Sequence, residues 1–306
     1  MKLTSSVALR APIVRAAFWM SGAIFSFMAM AIAGRELSSE LTTFQILFFR
    51  GMVGLVVVVA VLRHAGWWQL RTQKFGTHLI RNLAHYGGQY GWFYGIALLP
   101  LAEVFAIEFT MPIWTAVFAA VILGERVNKQ RTLAIAIGFA GVLVMLRPGI
   151  VVVSPAALAV LGAALAYGFA HTLTKSLSGT DTPLSILFYT TAIQLPLAFF
   201  PALYDWTWPS ASAWPWVLVV GLTALSAHYC LTRAFMLEDA AVVMPMDFLR
   251  LPLIAVVGFM LYDEPIQFWV FVGAVIVFAG SWMNLNAGPG TRDRAADEKA
   301  RQALED

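Results

Sequence analysis

RAFMLEDAAVVMPMDFLRLPLIAVVGFMLYDEP, residues Arg233–Pro265, is apolar enough in its middle to lie in a bilayer, yet it carries Pro245, Asp247, Arg250 and Pro252. Ionisable groups are costly in hydrocarbon, so those that occur face a cavity or a partner. The prolines remove backbone donors, which a membrane helix tolerates where neighbours or water re-satisfy the freed carbonyls. An earlier stretch, Ala97–Arg126 (ALLPLAEVFAIEFTMPIWTAVFAAVILGER), has the same plan. It has a short turn, an acidic apolar helix with Pro112 inside it, and an exit through Gly124-Glu125-Arg126, where the later copy exits through Asp263-Glu264-Pro265. A plan that recurs after roughly 140 residues predicts two homologous halves.

The 306-residue chain is 60% hydrophobic and 12% charged, with mean hydropathy +0.75. Soluble domains average about a quarter charged residues. Half that, with apolar runs longer than about 18 residues, predicts a polytopic membrane protein. The net charge of +3 comes from basic residues scattered between apolar runs, with no basic stripe, so nucleic acid is not an expected partner. The single cysteine, Cys230, excludes an intramolecular disulfide or a multi-cysteine metal site and reads as a small buried apolar residue. Lys2, Arg10 and Arg15 precede an apolar run ending Ala31-Ile32-Ala33-Gly34, which imitates a cleavable signal. The run is longer than a signal core and many spans follow, so it reads as an uncleaved first span.

Ten spans are predicted, near residues 16–33, 43–62, 79–98, 102–123, 132–146, 155–174, 183–204, 214–232, 240–261 and 267–285. With the amino terminus in the cytoplasm, 16 of the 20 Lys and Arg residues are cytoplasmic; Arg35 and Arg147 lie outside, and Arg50 and Arg250 within spans. Both termini are then cytoplasmic. Five spans per half is an odd number, so the second half (154–287) enters the membrane from the side opposite to the first (16–146). That makes an inverted repeat, an all-α membrane fold flanked by a cytoplasmic segment, 1–15, and a charged, disordered tail, 288–306. Trp67 and Trp68 on the inner side, and Trp206, Trp208, Trp214 and Trp216 on the outer, read as interfacial belts. Gly87, Gly91 and Gly95 leave one face of the third span bare for close helix contact.

Phe48-Phe49-Arg50, Ala97, Pro112 and Gly124-Glu125-Arg126 in the first half, with Ala234, Asp239-Ala240, Pro245 and Glu264-Pro265 in the second, together resemble EamA-type members of the drug/metabolite transporter superfamily. The resemblance covers essentially the whole chain, in two copies. It implies ten helices around a central cavity, alternating access, and transport of small organic metabolites across a bacterial inner membrane. Arg233-Ala234-Phe235, Asp239-Ala240, Met244-Pro245 and Phe248-Leu249-Arg250-Leu251-Pro252 look like the branch of riboflavin uptake proteins and are also similar to S-adenosylmethionine uptake proteins. Riboflavin uptake is the first reading that the resemblance implies. Transport of S-adenosylmethionine, an amino acid or another metabolite, inward or outward, is the alternative.

Asp247 and Arg250, three residues apart, share a helix face, either as an internal ion pair or as a cavity-facing pair that meets substrate. Glu108 has no basic residue three or four positions away, so its partner is another helix (Arg50 is one candidate), water or a coupling proton. Arg81, His85 and Gln89 form a polar stripe: Arg81 is expected to snorkel to the inner interface, His85 and Gln89 to line a cavity. His171 and His228, near the inner ends of their spans, read as interfacial. Gln194 with Thr190 and Thr191 serves helix contact or a neutral ligand. Tyr86, Trp92 and Tyr189 offer flat aromatic walls. A flavin suits such walls with Gln or His donors, whereas S-adenosylmethionine would set its cation against Asp247 and its carboxylate against Arg250. No protease, hydrolase or Walker motif is present, so neither an intramembrane enzyme nor an ATP-driven pump is expected, and no cofactor or metal. Duplicated halves with proline-broken charged helices favour a carrier over a passive channel. The expected partners are a small-molecule substrate and the lipid bilayer, with the chain a monomer or homodimer.

Overall fold

Proline and capping side chains decide where this chain turns. The computed structural model describes residues 3–122, 129–147, 153–178, 180–235, 237 and 246–286; Gly124-Glu125-Arg126, Asp239-Ala240, Met244-Pro245 and the tail 288–306 lie outside them. The described residues form helices and no strand. They are α1 (Leu3–Leu37), α2 (Thr43–Ala65), α3 (Phe75–Leu98), α4 (Leu101–Glu108), α5 (Met111–Ile122), α6 (Lys129–Leu146), α7 (Pro155–Ser178), α8 (Pro183–Ala202), α9 (Trp214–Phe235), α10 (Arg250–Tyr262) and α11 (Phe268–Asn286). Thr42 opens α2 in a reciprocal cap, accepting from the Gln45 N–H while the Gln45 carboxamide oxygen accepts from the Thr42 N–H at 3.0 Å. Thr182 caps α8 through its hydroxyl alone, which accepts from the Ser185 N–H at 3.1 Å, with Pro183 in the first turn.

Among the described residues, six stretches are long and apolar enough to cross a membrane: Val14–Leu37, Thr43–Ala65, Leu101–Ile122, Pro155–Leu177, Pro183–Asp205 and Trp214–Ala234. Thr132–Leu146, Arg250–Tyr262 and Phe268–Met283 are shorter apolar helices. Helix α3 has the length, 24 residues, but carries His78, Arg81, Asn82, His85 and Gln89, all buried. The helix α1 begins at Leu3, so the segment expected to precede the first span is continuous with it.

The stretch Leu101–Ile122 is one apolar length in two pieces. Pro112 has no N–H and its ring would strike the carbonyl four residues back, that of Glu108, so α4 stops there. Phe109 and Thr110 make a turn, Thr110 donates its hydroxyl to the Ile107 carbonyl at 2.8 Å, and α5 restarts at Met111. At the other end of α4, the Leu101 N–H donates to Glu264 Oε2 at 2.7 Å. The other oxygen of Glu264 lies 2.9 Å from Arg35, which also donates to the carbonyls of Ile96 and Leu99 at the end of α3. One ion pair therefore ties together the ends of α1, α3, α4 and α10.

The most extensively packed helix pairs are α1 with α9, α3 with α7, α2 with α8, and α6 with α11. Small residues permit the approach. A Cβ on Gly91 would meet the Ala159 carbonyl oxygen at 2.5 Å, and one on Gly88 would meet the Tyr167 ring at 2.9 Å, whereas one on Gly87 would meet nothing within 4 Å. The bare face of α3 is thus Gly88, Gly91 and Gly95 rather than Gly87, Gly91 and Gly95. Cys230 is half-buried, not buried, beside Gly22 of α1. Gly91→Val is expected to cost about 1–3 kcal/mol by overpacking α3 against α7, while Gly87→Ala is neutral or slightly stabilising; thermal unfolding in detergent distinguishes the two.

Candidate functional site

The break in α4–α5 has a counterpart before α10. Met246 and Asp247 are helical, Phe248 and Leu249 turn, and α10 starts at Arg250, with Pro252 two residues in. The two turns meet face to face: Phe109 stacks on Phe248 with ring centroids 4.3 Å apart and planes 17° off parallel. Each break presents an acid to one guanidinium. Arg250 donates to Asp247 Oδ2 at 3.0 Å and lies 3.6 Å from Glu108 Oε1. Its remaining faces are covered by Phe27, Phe105 and Phe109, with ring centroids 4.5, 4.9 and 5.0 Å from the guanidinium carbon. The Trp92 indole N–H donates to Glu108 Oε2 at 2.7 Å. The expected Asp247–Arg250 pair is present. The suggested partner of Glu108, Arg50, is not the observed one, because Arg250 and Trp92 reach it across helices.

These groups line one lobe, about 180 Å³, of a cavity whose walls also include Phe27, Met30, Tyr167 and Met111. A second lobe, about 210 Å³, is lined by Arg81, Tyr86, Thr174, Thr190, Thr191 and Gln194. Arg50, His85, Gln89, His171 and His228 belong to both. In the second lobe the amide nitrogens of Gln89 and Gln194 lie 3.0 and 3.1 Å from His85 Nδ1. Gln194 also donates to Asn82 Oδ1 at 3.3 Å, joining α8 to α3. Arg81 is 7% exposed and does not snorkel; it donates to Thr174 Oγ1 at 3.0 Å, to Asn82 Oδ1 at 2.8 Å and to Thr190 Oγ1. Neutral oxygens of α7 and α8 satisfy it inside the bundle. Among the described residues the buried Tyr86 hydroxyl has no hydrogen-bond partner.

Tyr189 is outside both linings. It stands one residue from Thr190, hence rotated by about 100°, and packs on His78, with ring centroids 4.6 Å apart, while its hydroxyl donates to the Leu70 carbonyl at 2.9 Å. His78 in turn pairs with Asp181 at 2.7 Å, at the end of the bundle where α7 passes into α8. Burial alone would push the Asp181 carboxyl up, but hydrogen bonds from Thr72, His78 and Thr180 outweigh it and hold it below the usual carboxylate range.

Comparison with known proteins gives this cavity a context. The model of the EamA-like transporter family matches residues 14–147 and again 154–286. The chain belongs to the EamA-like transporter family. Among its relatives, the S-adenosylmethionine uptake transporter of Rickettsia prowazekii is 26% identical, over 80% of this chain and 84% of that one. The riboflavin transporter of Brucella anthropi is 30% identical, over 80% and 89%. A pseudopaline exporter of Pseudomonas aeruginosa is 28% identical, over 83% and 90%. A solved crystal structure superposes with a TM-score of 0.60 at 17% identity, over 88% of this chain and 95% of its own, which establishes a shared fold alone.

This EamA-like protein is a multi-pass membrane transporter. Two of its cavity residues, His171 and His228, read as interfacial from sequence. The signal for His171 was the spacing Tyr167, His171, Thr174, one polar stripe on α7; for His228 it was Gly221, Ala224, His228, where small residues on the same face of α9 open space beside the ring. Arg250 is the neutralising centre of the first lobe. Arg250→Met is expected to destabilise by about 3–5 kcal/mol, because it strands the buried Asp247 carboxylate and the half-buried one of Glu108. Asp247→Asn should cost markedly less, since Arg250 keeps Glu108. Thermal midpoints from fluorescence-detected size exclusion give the comparison.

Proposed function

We propose that this transporter is a secondary carrier of a small, flat-ringed organic metabolite across a bacterial inner membrane, working by alternating access. The observation that carries the reading is the cavity itself. Helices from both family matches wall it, both proline-broken segments end at it, and a charged triad sits at their meeting point. Ten spans in two inverted five-helix repeats, 16–146 and 154–287, with both termini cytoplasmic, account for the packing. Exchanging the halves turns the α1–α9 contact into α7–α3 and returns α2–α8 and α6–α11 to themselves.

An amino-acid-bearing nucleoside of the S-adenosylmethionine kind is the substrate that the lobe with three ionisable residues in contact favours. Riboflavin, the first reading from sequence, is the second reading here. It is favoured by the amide groups of Gln89 and Gln194 beside Tyr86. Uptake into proteoliposomes tests the carrier: labelled S-adenosylmethionine should enter saturably and show counterflow, and excess riboflavin should compete weakly. Conductance that does not saturate is the outcome of a pore. A green fluorescent protein fused after Leu304 should fluoresce and an alkaline phosphatase fused there should be inactive; the reverse result refutes the inverted-repeat topology.

A further inference from the structure

Three guanidiniums face the cavity, and the protein treats them differently. Arg250 has two carboxylates within 3.6 Å. Arg81 donates to three neutral side-chain oxygens. Arg50 has neither: among the described residues it makes no ion pair and no hydrogen bond. Its Nε is buried without a partner, as are Nε and Nη1 of Arg250, but Arg250 still has its carboxylates and Arg50 has no anion. Its position is shared by both lobes, beside His85, Gln89, His171 and His228. Among the described residues the lining therefore holds three guanidiniums against two carboxylates, Glu108 and Asp247, both of which lie on Arg250. Among the described residues Arg50 is the lining guanidinium left without an anion.

A guanidinium in the membrane interior is costly unless something answers it. A structural arginine uses its donors, as Arg81 does. Arginine's planar fork matches a carboxylate in two parallel hydrogen bonds. We propose that Arg50 is the carboxylate subsite of the cavity, and that the substrate is a flat-ringed metabolite that carries a carboxylate. The proposal rests on the carrier reading above and narrows its substrate class. Trp92, Tyr167 and Phe27 stand on the adjoining walls, where a ring attached to that carboxylate would lie. Glu108, partly accessible there, faces the same space with negative charge and suits an ammonium or sulfonium on the same ligand.

The test is equilibrium binding to the purified full chain in detergent, using three probes: S-adenosylmethionine, 5′-methylthioadenosine (the same adenosine thioether without the amino-acid group) and riboflavin. Wild type should bind S-adenosylmethionine more tightly than 5′-methylthioadenosine. Arg50→Gln should weaken S-adenosylmethionine by about tenfold or more, the worth of a charge-assisted pair, and leave 5′-methylthioadenosine unchanged; Arg50→Lys should recover part of the loss. The ligand-free thermal midpoint of Arg50→Gln should stay level or rise, because an unanswered buried charge has been removed. A fall in that midpoint, or no binding of S-adenosylmethionine to wild type, overturns the proposal. So does equal binding of the two adenosine probes to wild type, which needs no variant to fold. The carrier reading is judged separately, on saturable transport of any probe into proteoliposomes. A protein that transports riboflavin and ignores S-adenosylmethionine sinks the Arg50 subsite and leaves the carrier standing.

Discussion

Charge neutralisation away from water governs this structure. Arg250 stands where two broken helical segments meet, and Glu108 and Asp247 come to it from either side. None of the three is tolerable alone in a low-dielectric interior. Together with the Trp92 indole and three aromatic faces they form one cluster beside the turns at Phe109–Thr110 and Phe248–Leu249. Prolines interrupt the helices, but the ion cluster holds the interruptions against each other, with Phe109 stacked on Phe248. The space around those turns is the cavity.

How much of this was legible in the chain depended on whether the determinant was local. The helical class, the break at Pro112 and the Asp247–Arg250 pair all follow from residues within a few positions of one another. The partner of Glu108 did not, because Arg250 lies far along the chain and only the packing of α4 on α10 brings them together. The glycine stripe was half right for a geometric reason. A helix turns about 100° per residue, so a strict four-residue repeat drifts by about 40° at each step. Gly87 has rotated out of the contact that Gly88, Gly91 and Gly95 make with α7. Arg81 and the cavity histidines were misplaced because depth was inferred from distance along a span. The helix α3 carries its polar groups well inside the bundle, where α7 and α8 supply matching oxygens.

Two kinds of polar construction coexist in the interior. Around Arg81 the donors are used by Thr174, Thr190 and Asn82, and His85 is held by two carboxamides, so that side of the cavity is knitted into the packing of α3, α7 and α8. Arg50, by contrast, has no ion pair or hydrogen bond among the described residues, and its Nε is buried without a partner. The cavity thus has hydrogen-bonded polar groups on one side and an unpaired guanidinium on the other. Specificity of this kind arises from what is left unpaired as much as from what is bound.

The Glu264 carboxylate serves two masters: it closes the amino-terminal end of α4 through the Leu101 N–H and balances the Arg35 guanidinium, which in turn holds the final carbonyls of α3. In evolutionary terms these positions cannot drift one at a time. A change at Arg35 leaves an acid without its counter-charge, and a change at Glu264 frees both a helix end and an arginine, so their effects will not add. Descendants of this protein should inherit the two residues as a unit, or exchange both together.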